Sequence, residues 1–464
     1  MEFINKSGNT IYLSDIDLSV TFYENEKIQF IDSDLVKKSK NFQFAVTQGL
    51  LFIVETTGEQ IEKSLVKNQG EYVKKNVEPQ KGDTEPINNN LAVKIRGHFY
   101  EAGGYAKVNR NLALGLHKKG VGVYIDPMNM NNIDLNEEEI KELSVLKRNA
   151  PNDTIVIDSI IPTYGQESFG KYRILYTTIE AETVPQQFVD SANLYHEVWV
   201  TSDFCKKVLE KYNIRPPIYV VPDSVDCDLY KEDVIGYSFN PPLNKFVFVS
   251  VFGWSYRKGY DVLLESYLKE FSGNDDVSLL IVSRFQYDSK YKNKIKDTIS
   301  EYISEYGGNN PAHISRCSKA VPEDQMPELY KACNAFVLFT RGEGFLLTAC
   351  ESSLCGLPVI ATRCSAQTMF LKNDNSYLLD VDEVIPMQPG LMHVHYWDGQ
   401  DFPSLKSEDT IKNAGKLMRQ VYENYEEAKD KNKKLSNFIK DNYNIDTICN
   451  CVIDRLENIR KKLC

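Results

Sequence analysis

No apolar run in the 464-residue chain reaches the ~20 residues needed to cross a bilayer. The opening segment MEFINKSGNT carries no apolar signal core either. Both absences point to a protein without a transmembrane segment, and a reducing cytoplasm is the simplest expected compartment. Histidine is scarce, with six in all, and the ten cysteines include no C-x-x-C pair, so a zinc ribbon or thioredoxin-type centre is not supported. Several cysteines sit inside apolar runs and read as small buried hydrophobes. Positive charge is also short: 54 Lys and Arg stand against 65 Asp and Glu, a formal net charge of −11. Such a chain gains nothing from counterion release, so general nucleic-acid affinity is not expected. What is present is ordinary globular material, 42% hydrophobic and 26% charged. The length calls for two or three domains.

Residues 1–57 read as a small β-rich accessory module. Short strands are expected at Thr10–Leu13 and Leu18–Tyr23, a helix over Asp32–Gly49, and an apolar strand at Leu50–Glu55. Residues 58–90 are rich in Lys, Glu, Asn, Gln and Gly, with little periodic apolar signal, and read as a linker. From Leu91 the pattern becomes strand, Gly-rich turn, helix, strand. Strands are expected at Leu91–Ile95, Val121–Ile125, Thr154–Ile157, Arg173–Thr177, Glu197–Thr201 and Ile218–Val221, with helices at Gly103–Lys119 and Ser202–Tyr212. A second series follows a hinge near residues 236–245. Its expected strands are Phe246–Val251, Val277–Val282, Phe336–Phe339 and Pro358–Ala361, and its helices are Asp261–Phe271, Met326–Ala332 and Leu347–Leu354. Alternation of this kind implies parallel sheets covered by helices on both faces, hence an α/β chain with two doubly wound domains. The first is expected over 91–236 and the second over 237–440. A charged helical tail ends in a helix at 441–464 that could cross back to the first domain.

Two stretches carry the chemistry. Gly342-Glu343-Gly344-Phe345-Leu346-Leu347-Thr348-Ala349-Cys350-Glu351 runs from a strand end through a loop into a helix, the edge at which open α/β sheets bind ligands. Gly344 allows close backbone approach, and the helix N-terminus offers free N–H groups to a diphosphate. Glu343 and Glu351 are placed to bind sugar hydroxyls at the two ends of a nucleotide sugar. On spacing alone they read equally well as one surface Glu and one exposed helix Glu. The second stretch, Tyr256-Arg257-Lys258-Gly259-Tyr260-Asp261, follows another strand of the same sheet. Adjacent Arg and Lys there can neutralise a diphosphate, Arg as a fork and Lys as a point charge. Alone it is more simply a solvated basic turn. Both stretches at corresponding edges of one sheet favour a diphosphate site.

Together these residues resemble the large retaining glycosyltransferase family of GT-B fold, which includes sucrose synthase, bacterial glycogen synthase and mannosyltransferases. Its E-x(7)-E motif matches Glu343 and Glu351, followed by Cys355-Gly356-Leu357-Pro358-Val359-Ile360-Ala361-Thr362, and its Arg-Lys pair matches Arg257 and Lys258. Its inter-domain signature matches Val198-Trp199-Val200-Thr201-Ser202-Asp203-Phe204 and then Val220-Val221-Pro222-Asp223-Ser224-Val225-Asp226. The resemblance covers roughly residues 91–460. It implies two Rossmann-like domains facing a cleft, with the donor held by the second. Arg257 and Lys258 would bind the diphosphate, Glu351 the ribose, and Glu343 the donor sugar. The backbone from Gly344 through Phe345, Leu346 and Leu347 to Thr348 would line the phosphates and sugar. Where the family usually has E-G-F-G, Leu346 replaces the second Gly. Gly103 and Gly104, in the loop Gly97 to Ala106, would let the first domain's backbone reach the donor phosphate. His98 is an acceptor-side candidate, although a lone His is more often structural. Glu180 resembles a family position near the acceptor.

The resemblance further implies retention of anomeric configuration, a nucleotide-diphosphate sugar as co-substrate (UDP-sugar before GDP-mannose), and neither cofactor nor metal. No Asp-x-Asp sits on a candidate strand-end loop. Asp15-Ile16-Asp17, Asp32-Ser33-Asp34, Asp226-Cys227-Asp228 and Asp380-Val381-Asp382 all lack a supporting context. An epimerase or phosphorylase on the same fold would want a cleft His with paired carboxylates, or a cofactor lysine. A non-catalytic sugar- or partner-binding relic would be expected to lose Glu343, Arg257 or Lys258. The acceptor stays open between a glycan, a protein, a lipid and a modified base. The run Asp32-Ser33-Asp34-Leu35-Val36-Lys37-Lys38-Ser39 faintly resembles small modules of bacteriophage proteins, which would place the chain in a bacterial host's cytoplasm. Residues 1–90 hold ten Lys against fourteen Asp and Glu, so a docking module for a protein partner or for self-association is expected there rather than a nucleic-acid arm.

Overall fold

The structure, a computed structural model, describes residues 2–5, 27–29, 51–55, 91–128, 134–151, 154–162, 170–284, 292–317, 321–388 and 395–463. The chain divides into two compact units, one formed by residues 1–87 with 129–133 and the other by 88–128 with 134–464. In the first, β1 (Glu2–Asn5) pairs antiparallel with both β2 (Lys27–Gln29) and β3 (Leu51–Glu55). Of the strand expected at Leu50–Glu55, residues Leu51–Glu55 form β3. Strands β1 and β2 have no alternation strong enough to mark them. The strands expected at Thr10–Leu13 and Leu18–Tyr23, the helix expected over Asp32–Gly49, the Asp32–Ser39 resemblance and the linker all lie outside the described residues.

The second unit holds two six-stranded parallel sheets. The first sheet comes from β4 (Ala92–Gly97), α1 (Gly104–Lys118), β5 (Gly122–Pro127), α2 (Glu137–Ser144), β6 (Ile155–Ser159), β7 (Tyr172–Thr177), α3 (Gln186–Ala192), β8 (Glu197–Val200), α4 (Asp203–Leu209) and β9 (Ile218–Val220). Its strand order is β5-β4-β6-β7-β8-β9. The second comes from β10 (Phe246–Gly253), α5 (Tyr260–Glu270), β11 (Val277–Arg284), α6 (Lys292–Tyr306), β12 (His313–Cys317), α7 (Met326–Lys331), β13 (Ala335–Leu338), α8 (Leu347–Leu354), β14 (Val359–Thr362) and β15 (Tyr377–Leu379). Its order is β12-β11-β10-β13-β14-β15. Strands such as β6, β8, β13 and β14 are buried along their whole length, as strands covered on both faces must be. Ser202 caps α4 as its position implies, accepting from the Cys205 N–H at 3.1 Å.

Strands β12 and β15 escape the sequence pattern. β12 is an edge strand, only partly buried, with polar residues along it. β15 has three residues, too few for a period. The chain then makes a short antiparallel pair, β16 (Val384–Pro386) with β17 (Asp401–Pro403), and three helices, α9 (Glu408–Glu423), α10 (Tyr425–Asn442) and α11 (Ile445–Leu463). Helix α11 buries Cys449, Val452, Leu456 and Ile459 and packs on α1 of the first sheet. Gly115 permits that approach, since a Cβ there would lie 2.6 Å from both Cys449 Sγ and Ile445 Cγ2. Arg455 on α11 reaches Glu197 of β8, with Nε 3.0 Å from Oε2.

Candidate active site

The strand order of the second sheet locates the site. β10 is the first strand laid down; β11 and β12 extend to one side and β13 to the other. The loops after β10 and β13 therefore diverge and leave a crevice at their carboxyl ends, where such sheets bind ligands. The loop after β10 carries Arg257 and Lys258, and the loop after β13 carries Glu343. Gly259 lets the two touch. It has φ 66°, and a Cβ there would stand 1.8 Å from the Phe339 carbonyl oxygen.

Four charged groups meet in this crevice. Lys258 Nζ lies 2.6 and 2.7 Å from the two Glu343 carboxylate oxygens. Arg257 Nη1 is 3.6 Å from Glu343 Oε1, and its Nη2 is 2.9 Å from Glu180 Oε1. Thr340 Oγ1 lies 2.8 Å from Glu343 Oε1. Burial raises the Glu343 carboxyl, but Lys258 and Arg257 outweigh it and hold the group below its ordinary value. Burial lowers the Lys258 ammonium, Glu343 opposes that, and Arg257 adds to it, with a net lowering. Burial pushes Glu180 up against the pull of Arg257 and Lys258. The basic pair is thus neutralised by carboxylates from both domains.

Glu351 sits apart from this group, one helix further on. Its Oε1 pairs at 2.5 Å with Lys107 Nζ, which projects from α1 of the first domain. Lys107 also meets Glu323 at 2.9 Å and Tyr230 Oη at 2.7 Å, and Arg110 binds Glu323 at 2.8 Å. Burial lowers Lys107, but Glu351 and Glu323 outweigh it and the ammonium is held above its ordinary value. Tyr330 Oη completes the set, 3.3 Å from Glu351 Oε2. The two domains also touch at the tip of the Glu343 loop. Thr201 Oγ1 donates to the Gly344 carbonyl at 2.6 Å, and a Cβ on Gly344 would fall 1.9 Å from Thr178 Oγ1. The close approach that Gly344 permits is therefore to the opposite domain.

The remaining expected residues are placed as follows. Phe345 and Leu346 are buried, while Leu347 and Thr348 open α8, whose N-terminus has no side-chain cap. The N-cap, Leu346, offers no side-chain bond to the first-turn N–H groups, and the Ala349 N–H turns back to the Leu346 carbonyl at 3.2 Å. Gly103 caps α1 with an ordinary φ of −77°, and a Cβ on Gly104 would meet nothing within 4 Å. Packing thus does not demand glycine at Gly104. His98 pairs with Glu101, Nδ1 to Oε1 at 2.8 Å, rather than with the Glu343 group. The Asp380-Val381-Asp382 run serves structure: Asp382 accepts from Ser407 Oγ at 2.7 Å at the start of α9, and Asp380 pairs with Arg363 at 2.6 Å.

Sequence reasoning missed Lys107, Arg110, Glu323 and Arg341. Arg341 is almost wholly buried, forks onto Asp261 at 2.8 and 2.7 Å, donates to the Tyr256 carbonyl at 2.8 Å and stacks 3.9 Å from the Tyr256 ring centre. Its backbone N–H donates to the Arg257 carbonyl at 2.7 Å. One side chain therefore welds the Arg257-Lys258 turn to the Glu343 loop. Adjacency to Gly342 was the only sequence signal for it. For Lys107 the only signal was the first helical turn after a Gly pair.

Residues 244–386 match the profile of a family described as "Glycosyl transferases group 1". No curated protein matches the sequence. Among solved structures, Anabaena HepE in complex with UDP-glucose is similar at 13% identity and a TM-score of 0.53, covering 79% of this chain and 100% of its own. Sucrose-phosphate synthase from Thermosynechococcus elongatus is similar at 14% identity and a TM-score of 0.56, covering 80% and 100%. A UDP-forming α,α-trehalose-phosphate synthase from Burkholderia vietnamiensis is similar at 11% identity and a TM-score of 0.54, covering 80% and 99%. The fold is GT-B, two Rossmann-like domains, and the segment that matches the group 1 profile lies in the second.

Proposed function

We propose that this GT-B chain, whose residues 244–386 match the group 1 glycosyl transferases, moves a hexose from a nucleotide-diphosphate sugar to an acceptor hydroxyl with retention of configuration. The observation that carries the reading is the gathering of Arg257, Lys258 and Glu343 beside the uncapped start of α8, at the switch point of the second sheet. Two cations beside a helix start that has no side-chain cap fit a diphosphate, and a buried carboxylate beside them fits sugar hydroxyls. UDP is the favoured nucleotide, because similar structures hold UDP or UDP-glucose and one similar enzyme is described as UDP-forming.

In this reading the bond from C1 of the sugar to the diphosphate oxygen breaks as the acceptor oxygen attacks the same face. The acceptor proton passes to the leaving diphosphate, so no separate carboxylate base is needed. Arg257 and Lys258 stabilise the charge that grows on the leaving group. Both are paired with carboxylates in the structure, so an arriving diphosphate takes over from Glu180 on Arg257 and from Glu343 on Lys258. Glu351 takes the ribose hydroxyls beside Lys107, and His98 and Glu180 lie on the acceptor side. The reaction uses no metal. Residues 1–87 act in acceptor choice or assembly through a protein contact.

The test is incubation with UDP-, GDP- and ADP-sugars, reading released nucleotide by mass, with and without chelator. A nucleotide released from one sugar class, and lost by at least tenfold in Lys258→Ala, is the expected result. No release from any donor, together with no binding of UDP, GDP or ADP, rules the reading out.

A further inference from the structure

Among the described residues only two non-glycine residues have positive φ, Leu346 at 81° and Ser365 at 47°. Leu346 is left-handed helical, with ψ 57°. Ser365 has ψ −148°, a region occupied essentially by glycine alone. Side chains at such angles crowd their own backbone, and the surroundings must hold them there. The two are distant in sequence, yet both border the loop that carries Glu343.

Leu346 closes that loop and is buried as the residue that precedes α8. Ser365 is bonded to Glu343 directly. The Glu343 N–H donates to Ser365 Oγ at 2.9 Å, Ser365 O–H donates to Gln367 Oε1 at 2.9 Å, and Gln367 Nε2 donates to the Thr362 carbonyl at 3.2 Å. The Glu343 carbonyl accepts from the Ala366 N–H at 3.3 Å. Both backbone polar groups of Glu343 are thus held by the turn at Ser365, while its carboxylate is held by Lys258 and Thr340. Ser365 and Gln367 are both buried, so water cannot substitute for these bonds.

We propose that Ser365 and Leu346 are positioning residues, whose strained backbone fixes Glu343 in the orientation that meets the donor sugar at some cost to the stability of the fold. This rests on Glu343 as a donor-site residue. Glycine at either position releases the strain, and at Ser365 it also removes the hydroxyl that holds the Glu343 N–H. Alanine keeps a Cβ on the strained backbone and, at Ser365, removes only the hydroxyl.

The experiment compares Ser365→Gly with Ser365→Ala, and Leu346→Gly with Leu346→Ala, by melting temperature, by UDP titration, and by turnover of UDP-glucose, GDP-mannose or ADP-glucose, whichever the wild type uses. At each position the Gly variant is expected to melt about 1–3 °C above the Ala variant, the reverse of the usual order for these two residues. In Ser365→Gly, turnover is expected to fall at least tenfold while the UDP dissociation constant stays within about threefold, because Arg257 and Lys258 are untouched. Gly melting below Ala at both positions overturns the strain. Turnover of Ser365→Gly within twofold of wild type overturns the positioning. If Ser365→Gly does not fold, Ser365→Ala, which removes the same hydroxyl from the Glu343 N–H, gives the turnover reading and the Leu346 pair gives the melting reading. A wild type that neither binds UDP, GDP or ADP nor turns over a donor overturns the donor reading, and this proposal with it. A wild type that does both, with unaltered Gly variants, overturns this proposal alone.

Discussion

At the scale of the residue, Arg341 shows how one side chain aligns two motifs far apart in sequence. It is buried, so its charge is tolerable only because Asp261 accepts a two-bonded fork and Tyr256 contributes a carbonyl and a ring face. Lysine cannot reproduce the fork. We therefore expect Arg341→Lys to fold but to weaken UDP binding about fivefold, because the Arg257-Lys258 turn loses its anchor; isothermal titration measures this. A loss of thermal stability with unchanged UDP affinity would make Arg341 a fold residue only. Arg341→Ala would leave Asp261 without its partner, at a cost of ~3–5 kcal/mol, and is the poorer test.

At the scale of the element, α11 couples the end of the chain to the first domain. Its apolar stripe covers α1, and Arg455 meets Glu197, whose side chain is 1% exposed and also accepts from Trp199 Nε1 at 3.0 Å and Tyr172 Oη at 2.9 Å. Removing Arg455 leaves a buried carboxylate with neutral donors only. We expect Arg455→Ala to cost about 3 kcal/mol in urea unfolding, with Arg455→Lys recovering part of it. A cost under about 1 kcal/mol would mean that the apolar stripe alone docks the helix. The paired α8 and β13 show the same logic at the site. Their sequences are apolar enough to mark both elements, but the loop between them is shaped by contacts with Ser365, Thr201 and Arg257 that no local pattern encodes.

At the scale of the whole molecule, both six-stranded sheets and every residue of the proposed donor site fall in the unit formed by residues 88–128 and 134–464. We expect a chain of residues 88–464 to be soluble and monodisperse and to bind UDP within about twofold of the full chain, checked by sizing and calorimetry. An insoluble product, or a folded one that no longer binds, would show that the second unit depends on the first. Acceptor choice or assembly is where the deletion is expected to show, since a tethered module raises the local concentration of whatever it binds.

Local sequence sufficed for the α/β alternation, most strand and helix positions of the second unit, and the two loops with Arg257, Lys258, Glu343 and Glu351. Those features depend on short-range chemistry: apolar runs buried on both faces, glycine where backbones touch, and charge at strand ends. It did not suffice for the partners of those charges. Lys107 on Glu351 and Glu180 on Arg257 are pairings between domains, and Ser365 under Glu343 is a pairing between crossover loops. The family resemblance marks Leu346 as standing where glycine is usual, but no local signal shows that Ser365 takes a backbone angle that disfavours side chains. Only the packing of one Rossmann-like domain on the other, and of loop on loop, decides which oppositely charged neighbours meet and where the backbone is strained, because burial makes those pairings compulsory and removes water as the alternative partner.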